Sequence, residues 1–592
     1  MGMHPRYRMV ENVFEELDAP GEWYHDARSG TLYLFPPAGV DFDRAVVEAV
    51  RLRHLVEFRG TRRDPVRFVT LKGLTLRHAA RTFMDNKEPL LRSDWTTYRG
   101  GAILFEGAED CGLNGLTLDQ VGGNAIFVSR YNRRLAIRGC HVVGAGANGV
   151  AFVGDPASVR SPLFEYNQRQ SLKDIDRTPG PRTEDYPADC LVEDCLIHET
   201  GRFEKQTAPV QISMSMGITV RRCSLYDVPR AGINISEGTF GGHVIEDCDI
   251  FDTVLETGDH GSFNSWGRDR YWGLKDVDLN TITRGADRDL PLLDVVRPIV
   301  LRHNRWRCDH GWDIDLDDGS SRYEIRDNLC LGGGLKLREG FYRLVENNVL
   351  VNNSFHPHVW YAKSEDVFRR NIVFGKYQPI LMKKPWGREC DFNFLHTPGQ
   401  AGAAPAAELA EQSGRDVHSV AADARFVDPA RGDYRVKEGS PALALGFVNF
   451  PMDAFGVRAP RLRAIARTPV LPSSGTPTGD RPAGNAQRWE GALLRDLTGE
   501  EYSAFGVGKD AGGVLVVEAP AGSRAYDAGL RPRDIIQTVD GRPVKDAREF
   551  QSRSAAISSR GTAKLGIVRD QRREDIEVRL PEEVSPHNRS VP

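Results

Sequence analysis

One short pattern recurs through the middle of this 592-residue chain: an apolar residue, two variable positions, Cys or Asn, one variable position, then another apolar residue. It surrounds Cys140, Cys195, Cys223 and Cys248, and continues around Asn304, Asn328, Asn348 and Asn371. Uninterrupted steps between these anchors are 28, 25, 24, 20 and 23 residues. Two steps, Cys140 to Cys195 and Cys248 to Asn304, are about twice as long, enough for an extra coil or a long loop. A unit this short cannot bury its apolar face alone, so such a period means a stacked solenoid. Leucine-rich repeats share the period, but their leucine/asparagine consensus is absent. Around the anchors, Val, Ile, Leu and Phe alternate with polar residues between Gly, Asn and Asp, with little helical periodicity. The pattern predicts a mainly β chain built on a right-handed parallel β-helix. Like side chains then stack at the strand spacing of about 4.8 Å, which favours columns of Asn or Cys.

A second column follows the anchors. Gly232–Gly238, Asp313–Gly319 and Gly334–Gly340 superpose without gaps. Strand alternation sends Ile233, Ile235, Ile314, Leu316, Leu335 and Leu337 inward. It sends Asn234, Ser236, Asp315, Asp317, Lys336 and Arg338 outward, with Asp318 and Glu339 at the turns that end their strands. Asp259 and His260 precede this strip, and His356, His358 and Trp360 follow it. Three aspartates in four residues repel one another and need a cation, a proton or a ligand. The strip is therefore the candidate site. Two insertions, 153–188 and 260–298, leave the coil at the end of the column strand and are expected to wall it. The second carries Trp266, Arg268, Arg270, Tyr271 and Trp272 within a few residues, a composition suited to stacking on sugar rings and binding hydroxyls or carboxylates.

The net charge of −4 argues against a nucleic-acid partner, and no apolar run approaches a membrane span. The nine cysteines are an odd number and mostly sit in the repeat, so buried thiols are expected. Met1 to Asn12 lacks a signal-peptide core, and the chain reads as starting partway into a domain. The expected organisation is an N-terminal β segment over 1–70, the β-helix over 71–456, a Pro/Gly/Ser/Thr-rich linker over 457–488, a small α+β domain over 489–582 and a tail over 583–592.

Two resemblances extend this reading. Gly21–Pro36, Phe426–Ala442, Thr257–Gly261 and Asp315–Ser321 are similar to segments of bacterial right-handed β-helix glycoside hydrolases, such as the β-xylosidase and α-fucosidase families. That resemblance implies a secreted or periplasmic enzyme cleaving a poly- or oligosaccharide with acids on adjacent rungs and no cofactor. Asp315 or Asp317 matches the first acid. Lys336 stands where a second acid is expected, which leaves Glu339 or Asp259 for that part. Retaining pairs lie about 5 Å apart and inverting pairs roughly 6.5 to 9.5 Å. His260, Trp266, Arg268, Lys336, Arg338, His356, His358 and Trp360 would bind substrate. The alternative is a polysaccharide lyase, with Asp315, Asp317 and Asp318 holding calcium and Lys336 as base. A third reading is a non-catalytic glycan-binding protein. Residues 489–582 resemble a bacterial PDZ domain, which implies capture of a peptide C-terminus by backbone amides near Phe505, Gly506 and Val507.

Overall fold

The computed structural model describes residues 11–579 except 86–87, 93–94, 166–167, 237–238, 259, 473–485, 500, 509–510, 561 and 570–571. Two compact units result, residues 1–51 and 52–592. The first contains a hairpin, Trp23–Asp26 paired antiparallel with Thr31–Leu34. The ring of Phe14 packs edge-on against Tyr24 and Tyr33, at 5.3 and 5.1 Å.

The second unit is dominated by a mainly β solenoid of three long parallel sheets. Each coil contributes one short strand to each face, as in Ala136–Arg138, His141–Val143 and Val150–Val153. The first face runs from Thr70–Lys72 to Glu389–Asp391, the second from Thr75–Arg77 to Val420–Ala422, and the third from Val56–Arg59 to Phe355–Pro357. Pairing is parallel and in register from coil to coil, for example Ile137 with Val192 and Val192 with Val220. The inward Val, Ile, Leu and Phe side chains form one continuous buried core.

The anchors lie at the corner between the first two faces. Asn304 Nδ2 donates to Asn328 Oδ1 (3.1 Å), Asn328 to Asn348 (3.0 Å), Asn348 to Asn371 (3.0 Å) and Asn371 to Asn393 (3.3 Å). Each Oδ1 also accepts a backbone N–H from the preceding coil, as Asn348 Oδ1 does from Asn328 N (3.0 Å). The ladder thus satisfies amides that the turn takes out of the sheets. The residue before each anchor sits in the left-handed region, including Asp194, Arg222, Asp247, His303 and Asp327 with φ between 53° and 56° or 58°. Such backbone is costly away from glycine, and the ladder hydrogen bonds hold it. All nine cysteines are reduced and buried.

Of the two readings of the double-length steps, the long loop holds in both, because Ala136–Arg138 pairs directly with Leu191–Glu193 and Val244–Glu246 with Ile299–Arg302. Other expectations are corrected. The solenoid begins before residue 71: Val56–Arg59 already pairs with Ile103–Glu109, and the anchor column opens with Leu74 and Leu116 in place of Cys or Asn. The second insertion starts after Ser265, because Gly261–Ser265 is a strand of the third face. The segment from Val457, read as linker, packs on the second face: Val457 and Leu462 are buried with Leu196, Tyr226 and Phe251. Asp194 accepts from the amides of Arg458 and Ala459, so apolar burial and capping outweigh the turn-rich composition.

Candidate functional site

The site lies on the outer side of the third face, on strands β1 (Val210–Ser213), β2 (Ile233–Ile235), β3 (Gly261–Ser265), β4 (Trp312–Leu316), β5 (Leu335–Leu337) and β6 (Phe355–Pro357). Register stacks Gln211, Asn234, Asn264, Asp315, Lys336 and His356 in one outward column. Asn234 Nδ2 donates to Gln211 Oε1 (2.8 Å). Asn264 lies 2.9 Å from Asn234 and 3.2 Å from Asp315. Lys336 Nζ then stands 3.0 Å from Asp315 and 3.5 Å from Asp317, with its charge 4.2 Å from the centre of the Trp312 ring.

This outward column is not solvated. Gln211, Asn234, Asn264, Asp315 and Lys336 are buried, because the two insertions fold over the face as one roof. Arg270 of the second insertion pairs with Asp294 (2.9 Å) and donates to the carbonyls of Asp176 and Thr178 in the first. Gln170 bridges to Leu274, and Gly180 N donates to Leu293 O (2.7 Å). A second apolar cluster, including Trp95, Phe127, Phe240 and Trp266, seals the roof over the earlier coils.

The aromatic loop is part of that roof. Trp266, expected to stack on sugar, is only 4 % exposed and packs edge-on against Trp95 at 5.1 Å. Tyr271 is buried, with its hydroxyl bonded to the carbonyl of Gly319. His358 and Trp360 are also buried. The Trp360 indole donates to Leu337 O (3.2 Å) and the His358 ring lies 5.4 Å from Trp312. His260 sits against the guanidinium of Arg230 (2.7 Å), and His356 is half-buried and bonded to Asn353 (2.7 Å). Asp259 lies outside the described residues.

The three aspartates share three cations. Asp315 takes Lys336. Asp317 takes Lys336 and Arg338 (3.4 Å). Asp318 takes Arg268 and Arg338, each at 3.2 Å. Among the described residues no group of three or more His, Cys, Asp or Glu could hold a metal ion. Lysine and arginine side chains stand against all three aspartates and compensate their mutual repulsion. Arg338 also donates from Nε to Glu339 Oε2 (2.7 Å), so one guanidinium touches Asp317, Asp318 and Glu339.

The electrostatics separate two of these acids. Burial alone would raise Asp317, but the positive charges of Lys336, Arg338, Arg268 and His260 overcome it and hold the carboxyl well below its usual range. Burial raises Glu339. Arg338 opposes that rise, while the neighbouring charges of Asp318 and Asp317 reinforce it. Asp317 is the more open of the two, with its side chain 19 % exposed against 6 % for Glu339. Two carboxyls displaced in opposite directions, one favouring the charged form and one disfavouring it, suit a base and an acid respectively.

The C-terminal domain holds strands β7 (Ala486–Trp489), β8 (Ala492–Asp496) and β9 (Val514–Glu518), with helices α1 (Glu501–Ala504) and α2 (Ala547–Arg560). The expected terminus-binding amides are not at a strand edge. Phe505 N donates to Glu501 O and Val507 N to Tyr502 O, closing the end of α1. Phe505 and Val507 are buried in a cluster with Val359 and Leu381 of the solenoid.

Comparison with known proteins separates the two regions. Residues 491–580 match the PDZ domain family. The C-terminal domain is a PDZ domain. A 92-residue stretch is 32% identical to a "Probable periplasmic serine endoprotease DegP-like" of Rhizobium meliloti (strain 1021), covering 16% of this chain and 18% of that protein. A protein of the same description from Bartonella henselae is 33% identical over 92 residues, again 16% and 18%. The chain thus spans about a fifth of the length of the curated relatives it matches. Among solved structures, a glycoside hydrolase aligns over 62% of this chain and 56% of its own, at 15% identity and a TM-score of 0.34. No helix among the described residues is long and apolar enough to cross a membrane.

Proposed function

We propose that the roofed column hydrolyses a glycosidic bond in a poly- or oligosaccharide, with Asp317 as nucleophile or base and Glu339 as acid. The observation that carries this reading is the opposite displacement of two carboxyls that share one guanidinium. Splitting two acids in this way supports giving them different roles, Asp317 the base or nucleophile and Glu339 the acid. Contact with a single arginine keeps the pair inside the outer limit of roughly 9.5 Å for such enzymes. Arg338 holds both acids in place, and Arg268 fixes Asp318 beside them.

Hydrolysis is preferred over lyase chemistry because of Lys336. A lyase base must act in its neutral form. Two carboxylates stand 3.0 and 3.5 Å from the Lys336 ammonium and favour its charged form instead. The DegP-like relatives are described as periplasmic, which supports placing this protein in the periplasm or outside the cell.

The test is incubation of the full chain with a panel of plant, algal and host polysaccharides, read for new reducing ends and for the absorbance of unsaturated uronate. Reducing ends without that absorbance, lost in Asp317→Asn and Glu339→Gln, is the expected result. Unsaturated product, or full activity in both variants, overturns the assignment.

A further inference from the structure

PDZ domains capture peptides by strand addition: an extended segment joins the open edge of one strand, beside a helix. In this chain both edges of β8 are occupied. One edge pairs with β9. The other pairs antiparallel with β7, Ala486 opposite Arg495, Gln487 opposite Leu494, Arg488 opposite Leu493 and Trp489 opposite Ala492. The match to the PDZ family begins at residue 491, just after β7.

β7 also meets the helix that flanks this edge. Gln487 Nε2 donates to Ala547 O at the start of α2 (2.5 Å), and the Trp489 ring packs edge-on against Phe550 at 5.3 Å. The connection to β8 is a two-residue turn with both residues left-handed, Glu490 at φ 47° and Gly491 at φ 85°, the geometry that matches strand twist in a tight hairpin. The turn is tied down by Arg524, 3.2 Å from Glu490, and by Ala525 N donating to Glu490 O (3.0 Å). The direction is decisive. A peptide adding antiparallel to β8 ends at this turn, and that is where Trp489 lies.

We propose that residues 486–489 fill the peptide-binding edge of the PDZ domain in cis, so that an external chain terminus binds only when this strand is released. The occupant is covalently attached, and its effective concentration is on the order of millimolar for a short connection. A free peptide of modest affinity therefore does not displace it. This inference is independent of the chemistry proposed for the solenoid.

The test uses the full-length protein and a fluorescein-labelled peptide, Gly-Ser-Ala-Gln-Arg-Trp with a free terminal carboxylate, followed by fluorescence anisotropy. Two variants release the strand by different means: Gln487→Pro breaks the pairing with β8, and Trp489→Ala removes the contact with Phe550. Circular dichroism checks that each remains folded, and hydrogen exchange reports on the amides of Ala492–Asp496. The expected result is protection of those amides in the wild type and at least tenfold tighter peptide binding by a folded variant. Equal binding by wild type and variants overturns the proposal, as does absence of binding to both folded variants. Rapid exchange along β8 in the wild type also overturns it.

Discussion

Replacing Lys336 by Met tests the physical basis of the buried column. The ammonium is buried at 3.0 Å from Asp315 and 3.5 Å from Asp317. At an effective dielectric constant near 20, each attraction is worth about 5 kcal/mol. Desolvation of the ions offsets most of it, so the pair adds little net stability compared with apolar residues of the same shape. Removing the lysine alone is different, because Asp315 is then left buried and charged. That change costs about 3 to 5 kcal/mol. The double variant Asp315→Asn/Lys336→Met removes both charges and keeps an amide within reach of Asn264, so most of the loss returns. A solenoid does not unfold as one two-state unit. The assay is therefore native-state hydrogen exchange of peptides covering β4 and β5, read as local opening free energies. A cost below about 1 kcal/mol for Lys336→Met, or a double variant no more stable than the single one, refutes the reasoning.

Other predictions follow from the scaffold. Asn348→Ala removes an amide that donates to Asn371, Ile325 O and Glu346 O; a loss of about 3 kcal/mol is expected from the stranded polar groups, measured as local opening free energies by native-state hydrogen exchange of the neighbouring coils. Trp266→Ala is expected to cost about 3 to 5 kcal/mol as a buried aromatic, with KM changing only as far as the roof loosens; a large KM effect at unchanged stability would restore the sugar-stacking role. His243 is buried with Nδ1 accepting from Ile218 N (3.1 Å), and burial first, then the charge of Arg297, lowers it from 6.5 to about 3. Because the folded value lies below the unfolded one, stability is lost as pH falls below about 6.5, by about 2 kcal/mol between pH 7 and 5. His243→Gln removes that increment, seen as a smaller pH dependence of local opening by native-state hydrogen exchange of the coils around His243.

What was legible in the chain was the part governed by repetition. The Cys and Asn anchors announce a corner that every coil must turn, and the apolar alternation announces which side chains face the core. Less legible was anything decided between distant segments. Gly261–Ser265 reads as loop because Phe263 is its one large apolar residue, yet register places it between β2 and β4. Phe263 faces the core in register with Ile233 and Ile314, whereas Asn264 is buried because the roof covers the outward column. Outward alternation on β4 and β5 was readable for Asp315 and Lys336, but the insertions that bury them are joined by carbonyl contacts to Arg270 that leave no periodic trace. Trp312, Arg230 and Trp95, which face Lys336 and His260, were missed for the same reason. Trp266 and Phe505 look like ligand-facing residues by composition, and packing claims both. The signal for Arg338 as the common partner of the acids was present in Lys336–Glu339, since alternating charge beside a cluster of aspartates has to be neutralised.

The most direct test of the central claim is the pH dependence of kcat/KM for the wild type and Glu339→Gln on a polysaccharide found by the screen. A bell-shaped wild-type profile is expected, with the acidic limb below the usual carboxylate range, set by Asp317, and the basic limb above it, set by Glu339. In Glu339→Gln the basic limb disappears and the rate falls by about 10² to 10⁴. An unchanged basic limb in that variant would contradict the assignment of Glu339 as the acid.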